Sequence, residues 1–308
     1  MVEVTTRTAG ARLLLRPCAM LNERILGILG RALHLYPVDL HAVVFLSNHW
    51  HALISVPDAE ALAAFLRYVN GNVAKAVQEI HGWQGPVWQR RAHAIVVADE
   101  AAAEARLRYV LAHGAKEGLV ASPLEWPGVT CARAMSGRER LVGAWVDRTR
   151  ARQIERGGRT PHPAEVTTWY PIELAPLPHW AAWPAARRRA AIEGLIGDIE
   201  REARARRVLG VRGVLAQDPH AMPVRSKQGR APWVHAVGRA ARAVFLAARR
   251  MFLDVYRAAA ECLRRGRPAA LPAGCFPPRA PLSLRPATLC TIAHTRPVGG
   301  SAPREAPG

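Results

Sequence analysis

The spacing of apolar positions in the first part of the chain alternates between the periods of helix and strand. Apolar residues recur at three- and four-residue steps in 21–33 and again in 62–77, which predicts two helices that each bury one face. Between them, 39–56 reads DLHAVVFLSNHWHALISV and predicts strands with a turn at Ser47-Asn48.

Further elements are predicted on both sides of this pattern. Segment 4–16 can supply a first strand, and 91–98 reads as another. A helix over 100–113 follows, with Gly114 as its predicted stop. The candidate helix N-caps are Asp58 and Asp99. The order β-α-β-β-α-β-α predicts an α+β fold, namely a ferredoxin-like or RRM-like antiparallel sheet with helices on one face and one added helix.

The second half of the chain differs from the first in composition and in hydrophobic periodicity. Residues 136–190 are rich in Arg, Pro, Gly and Trp without a long periodic run, whereas 185–207 and 233–265 have helical periodicity. From Gly266 onward, nine Pro in 43 residues predict a disordered tail. We therefore expect three parts, which are a domain over 1–130, a basic, Arg-rich and mostly helical extension over 131–265, and a Pro-rich tail over 266–308.

Net charge is the strongest compositional signal. The chain has 43 Lys and Arg against 24 Asp and Glu, a formal charge of +19, of which +17 lies in 136–308. Such a field attracts polyanions, and nucleic acid is the usual one. Only three of the basic residues are Lys, as a GC-rich coding bias would produce, but that bias does not explain the excess over acidic residues.

Other features of the sequence exclude several classes of protein. The five Cys are far apart without a C-x-x-C pair, which argues against a zinc ribbon and against a disulfide scaffold. No apolar run reaches the ~18–20 residues that cross a bilayer, and no signal peptide is evident. We expect a cytoplasmic protein that does not interact with membranes.

Two groups of residues could perform chemistry. In a strand, His49 and His51 project from one face and Trp50 from the other, so two imidazoles about 7 Å apart could bind one divalent cation with a third group. Alone, this H-x-H pair is a weak signal. Tyr109 and His113 lie four residues apart and share one face of the predicted helix. The alternative for Tyr109 is an aromatic that fills the helix–sheet interface.

Three segments resemble one family. The pieces SNHWHALISV, GPVWQRR and LRYVLAHGAKEGLV, in this order and spacing, resemble the one-tyrosine HUH transposases, and more narrowly the REP-associated tyrosine and insertion-sequence-200-like transposases. His49-Trp50-His51 matches the family's His-hydrophobic-His motif, and Tyr109 matches its nucleophile. The resemblance covers about 4–130, and His113 stands where the family usually has an amide.

This resemblance implies an HUH tyrosine transposase-like catalytic domain over 1–130. Its implied activity is that of a metal-dependent single-stranded DNA endonuclease and strand-transferase, which acts on hairpin DNA through a 5′-phosphotyrosine intermediate. Tyr109 would be the nucleophile, with His49, His51 and His113 as ligands of Mn²⁺ or Mg²⁺. Because an imidazole ligates Mn²⁺ better than Mg²⁺, we expect activity with manganese to be higher. Tyr68 is the rival nucleophile.

The extension is expected to contact DNA. Arginine runs are suited to phosphates, and exposed indoles can stack on bases at ~1–3 kcal/mol each, although packing in the core is the commoner role of tryptophan. The candidate DNA contacts are Arg90, Arg91, Arg187, Arg188, Arg189, Trp180 and Trp183.

Two other functions fit the same residues. One is a domesticated, non-catalytic DNA-binding protein of the same fold. The other is a metal-dependent phosphodiesterase in which a water attacks in place of Tyr109, and the chemistry alone would also allow RNA as substrate. The expected assembly is a monomer or a homodimer.

Overall fold

A computed structural model describes residues 1–223, 231–273 and 275 of the chain. Its first elements are β1 (Val2–Arg7), α1 (Ala19–Leu35), β2 (Asp39–Phe45), β3 (His49–Ser55), α2 (Ala59–His81), β4 (His93–Val97) and α3 (Glu100–Lys116). The later elements are α4 (Ala132–Met135), β5 (Val142–Val146), α5 (Arg148–Arg156), α6 (Pro163–Val166), β6 (Thr167–Pro171), α7 (Ala185–Ala203), α8 (Gly210–Leu215), β7 (Val234–His235) and α9 (Arg239–Arg264).

The main sheet has the strand order β2-β3-β1-β4-β7. The first four strands pair antiparallel, and β7 joins the edge parallel to β4. Two β-α-β halves that interleave in this way give the order expected of a ferredoxin-like sheet. The predicted α+β class is therefore confirmed.

The alternation of side chains along β3 divides the sheet into two different faces. Trp50 is fully buried, stacks on Phe45 at 5.1 Å between ring centroids, and donates from Nε1 to Asn70 of α2 at 3.0 Å. Since neighbouring strand residues point to opposite faces, His49 and His51 lie on the side away from α2. There they meet α3. The added helix thus lies opposite α1 and α2, which share the other face.

Helix ends follow the predicted caps with one exception. Asp58 and Asp99 each accept a hydrogen bond from the backbone N–H three residues on, at 2.7 Å. The predicted stop at Gly114 is wrong, because α3 continues to Lys116. A Cβ on Gly114 would lie 3.1 Å from Cγ2 of Val120, so this glycine serves close packing within the helix.

The segment without a periodic pattern folds into a small second sheet. β5 and β6 pair antiparallel within an extension that is otherwise mostly helical, and this sheet was not predicted. β5 lies directly on α1, because a Cβ on Gly27 would be 2.2 Å from the Ala144 carbonyl oxygen and a Cβ on Gly143 2.0 Å from that of Leu26. At these two glycines the helix and the strand are in backbone contact.

The two long helices predicted in the extension are present. α7 buries Ile192, Ile196 and Ile199 as its apolar stripe. The helix predicted over 233–265 begins at Arg239, and β7 precedes it. The chain divides into two compact units, Met1–Phe245 and a second that begins at Leu246. Most of the predicted tail over 266–308 lies outside the described residues.

In the part of the chain that the structure describes, no helix has both the length and the apolar character needed to span a membrane.

Candidate active site

Three histidines converge where α3 crosses the sheet. His49 and His51 come from β3 and His113 from α3, and all three are buried. Each can offer one ring nitrogen such that the three atoms lie within 4.8 Å of one another. The ring centroids of His51 and His113 are 4.4 Å apart, and those of His49 and His113 are 4.8 Å apart. This spacing is suited to a single metal ion.

Tyr109 adjoins the three histidines. It is half-buried one helical turn before His113, with its ring centroid 4.8 Å from that of His113 and 5.5 Å from that of His51. The four residues singled out from the sequence therefore lie in one place, although β3 and α3 are separated by a further helix and strand. We call these four residues the His–Tyr cluster.

Burial keeps two of the imidazoles neutral. Desolvation, helped by the neighbouring His51, lowers the pKa of His113 to about 2 and lowers the pKa of His49 well below its ordinary value. A neutral imidazole has a lone pair on one nitrogen, and this is the form that binds a metal ion.

Hydrogen bonds on the far side of the rings fix which nitrogen has the lone pair. Nδ1 of His49 lies 2.6 Å from Oδ1 of Asn48, and Nδ1 of His51 lies 3.1 Å from Oε1 of Glu3. Because these oxygens only accept, each Nδ1–H donates, and in the neutral ring the lone pair is then on Nε2. This is the usual arrangement of histidine ligands to metals.

The third imidazole has an unsatisfied atom. Nε2 of His113 lies 2.8 Å from Nε2 of His49, so its N–H can donate to the lone pair there. Nδ1 of His113 is buried and has no hydrogen-bond partner among the described residues. Three buried imidazoles with an unpaired ring nitrogen among them fit a divalent transition metal ion better than they fit a self-contained polar core.

Glu3 is a functional candidate that our sequence reasoning missed. Its carboxylate is buried, and Oε2 lies 2.8 Å from Nε2 of His235 and 3.5 Å from a guanidinium nitrogen of Arg106. Burial alone would raise the pKa of Glu3, but hydrogen bonds from His235 and His51 hold this pKa well below its ordinary value. Glu3 and Thr5 are polar residues two positions apart on β1, and Thr5 pairs with His51. This spacing of polar residues in a strand is the sequence pattern that could have identified Glu3.

Two cations flank the ring of Tyr109. The Arg106 guanidinium and the Lys116 ammonium each lie 4.5 Å from the ring centroid. Burial raises the pKa of the Tyr109 phenol, the Glu3 charge raises it further, and Arg106 opposes both. The phenol is therefore protonated near neutral pH unless more positive charge is added beside it.

Tyr68, the alternative nucleophile, does not lie in the His–Tyr cluster. Tyr68 lies on α2, which packs on the face of the sheet opposite the His–Tyr cluster, and its ring centroid is 5.9 Å from that of Trp145. Burial raises the pKa of Tyr68 to about 12. Its hydroxyl is buried without a hydrogen-bond partner in the described part of the chain.

The predicted DNA contacts occupy two other places. Arg90 and Arg91 are exposed in the loop between α2 and β4. Trp180 is buried, stacks on Trp183 at 4.9 Å between ring centroids, and donates to Glu104.

The first turn of α7 holds the three remaining candidates. The Arg187 guanidinium lies 4.0 Å from the ring centroid of Trp183, and Arg188 donates to the Trp183 carbonyl oxygen. Arg189 is exposed. Trp183 is more accessible than Trp180, so it is the better placed of the two indoles for stacking on a base. The role of this group in DNA binding stays a prediction.

Comparison with known proteins gives partial similarities. No family model matches the chain, and no curated protein does. A REP-associated tyrosine transposase bound to a REP hairpin matches 44% of this chain and 79% of its own, at 20% identity and a TM-score of 0.34. A candidate transposase from Deinococcus radiodurans matches 34% of this chain and 84% of its own, at 15% identity and a TM-score of 0.27.

Proposed function

We propose that this chain is a transposase-like, metal-dependent endonuclease and strand-transferase that acts on single-stranded hairpin DNA. The observation on which the proposal rests is the His–Tyr cluster, in which three buried histidines and a tyrosine from distant parts of the chain adjoin one another. The resemblance of the segments around these residues to the one-tyrosine HUH transposases supports the same reading, as does the excess of basic residues.

In this proposal His49, His51 and His113 hold a divalent metal ion. When bound, such an ion polarises the scissile phosphate and favours ionisation of a nearby phenol. Nε2 of His49 and Nε2 of His51 face the cluster as ligand atoms, and transfer of the His113 ring proton from Nε2 to Nδ1 would free Nε2 of His113 as the third ligand atom. Because a nitrogen ligand suits Mn²⁺ better than Mg²⁺, manganese is the metal we expect.

Tyr109 supplies the nucleophile. Its phenolate oxygen forms a bond to the scissile phosphorus, and the bond from phosphorus to the 3′ oxygen breaks. The products are a 5′-phosphotyrosine link and a strand with a free 3′-OH, which conserves the bond energy for rejoining to another strand. The positive charges of Arg106 and Lys116 beside the ring favour the phenolate over the phenol.

A denaturing gel with end-labelled single-stranded DNA hairpins and Mn²⁺ tests this function. We expect a covalent protein–DNA adduct that is lost in Tyr109→Phe and retained in the matched control Tyr68→Phe, since each change removes one tyrosine hydroxyl. Cleavage that survives Tyr109→Phe would show attack by water. Retarded DNA without any adduct, on a native gel, would show a non-catalytic DNA-binding protein.

A further inference from the structure

A groove of about 390 Å³ opens beside Tyr109, between α3 and α7. On one side it is lined by α3 residues that include Ala105, Arg106 and Tyr109 itself. On the other side the lining is Ile199 and Ala203 of α7, together with residues at and beyond the end of that helix. Its volume falls in the range of ~300–1,000 Å³ that is typical of ligand sites.

The charge of this groove favours an anion. Among the described residues that line it are four cations, Arg106, Arg108, Lys116 and Arg206, against the single carboxylate of Glu202. Arg108 pairs with Glu202 at 2.5 Å and Arg106 with Glu3 at 3.5 Å, so Lys116 and Arg206 supply the excess positive charge. Alanines and Ile199 form the floor between these charges, which leaves apolar space for a sugar or a base.

α7 is fixed in position as a wall of the groove. Besides the ion pair between Arg108 and Glu202, the hydroxyl of Ser122 donates to Glu200 at 2.6 Å. Near the start of α7, Trp180 donates to Glu104 of α3 at 3.0 Å. The groove is therefore bounded by two helices that are held together, and is present before any ligand enters.

We propose that this groove binds a nucleotide of the DNA strand next to the scissile phosphate, so that α7 forms part of the active site. The inference rests on the proposed function and extends it. Residues 4–130 carry the resemblance to the transposase family, whereas α7 belongs to the extension. The extension thus contributes a wall of the substrate site in addition to its general positive charge.

Two matched pairs of variants test the groove. Ala105→Trp fills it, and Ala101→Trp places the same side chain one helical turn away, on an exposed position outside the lining. Arg206→Glu reverses a groove charge, and Arg201→Glu reverses an exposed charge of α7 that does not line the groove. Circular dichroism and thermal melts check that all four variants fold.

Binding is measured in the Tyr109→Phe background, so that it does not depend on catalysis. The readout is fluorescence anisotropy with a labelled DNA hairpin that has a single-stranded flank. We expect Ala105→Trp and Arg206→Glu to weaken binding by about tenfold relative to their controls, and Arg206→Glu to reduce the slope of log K against log salt by about 1.

The outcomes separate this inference from the proposed function. If both groove variants bind like their controls while the wild type still forms the adduct through Tyr109, the groove inference is overturned and the nuclease function stands. If the groove variants weaken binding although the wild type forms no adduct, the groove is supported and the nuclease function fails. If the wild type does not bind the DNA, both are overturned.

Discussion

Glu3→Gln removes one negative charge from the surroundings of the His–Tyr cluster while preserving the size of the side chain. In the structure, Oε1 of Glu3 lies 3.1 Å from Nδ1 of His51, on the ring nitrogen that faces away from the cluster. Oε2 of the same carboxylate lies 2.8 Å from Nε2 of His235 and 3.5 Å from a guanidinium nitrogen of Arg106. The glutamine can still accept from His51, but it no longer places a negative charge beside that imidazole.

The size of the effect follows from this arrangement. Carboxylates that orient a metal-binding histidine typically contribute 10–100-fold to metal affinity, which is about 1.4–2.8 kcal/mol. Glu3 is buried, so its charge is weakly screened by solvent. We therefore expect Glu3→Gln to weaken Mn²⁺ binding by at least tenfold.

Electron paramagnetic resonance of free Mn²⁺, titrated with the protein, measures this affinity without any reaction. Thr5→Val is the matched control, because the Thr5 hydroxyl lies 2.8 Å from the same Nδ1 but has no charge, and we expect a loss of less than threefold. A folded Glu3→Gln protein that binds Mn²⁺ as tightly as the wild type would refute the role assigned to the carboxylate. His51→Ala should abolish tight binding, which confirms that the titration reports on this site.

Two further predictions concern His113. In metal-free protein, its pKa of about 2 lies far below the unfolded value of ~6.5, so the folded state binds fewer protons and stability falls as the pH drops below ~6.5, by ~1.4 kcal/mol per pH unit from this group. Urea unfolding at pH 7 and pH 5 should show that loss, and His113→Asn should reduce it, whereas a wild-type free energy of unfolding that is the same at both pH values would contradict the burial argument. His113→Asn also replaces a nitrogen ligand with an amide oxygen, so the ratio of adduct formed with Mg²⁺ to that formed with Mn²⁺ should rise, and an unchanged ratio would count against His113 as a ligand.

The sequence predicted those parts of the fold that depend on local pattern. The β-α-β-β-α-β order follows from the period of the apolar residues, and the Asp58 and Asp99 caps follow from short-range hydrogen bonding. The same applies within the site, since His49 and His51 share a strand face and Tyr109 shares a helix face with His113. A spacing rule was sufficient for each pair.

The features that the sequence did not predict depend on long-range contacts. Glu3 and His235 are 232 residues apart, and only the pairing of β7 with β4 places His235 near β1. The β5–β6 sheet has five-residue strands without a clear alternation, and it is held by its contact with α1. Gly114 is a helix breaker by propensity, but its packing against Val120 outweighs that tendency.

The backbone contact between α1 and β5 has a consequence for how this chain can be divided and how its relatives can differ. A fragment that ends at residue 130 would keep the four antiparallel strands of the main sheet and the His–Tyr cluster. It would expose the surface of α1 at which glycine allows close contact with β5, so a stable shortened form should extend at least through Pro171. By the same reasoning, a glycine at position 27 allows closer packing only in a chain that also has strand β5 against α1. In related sequences the two features should be gained or lost together.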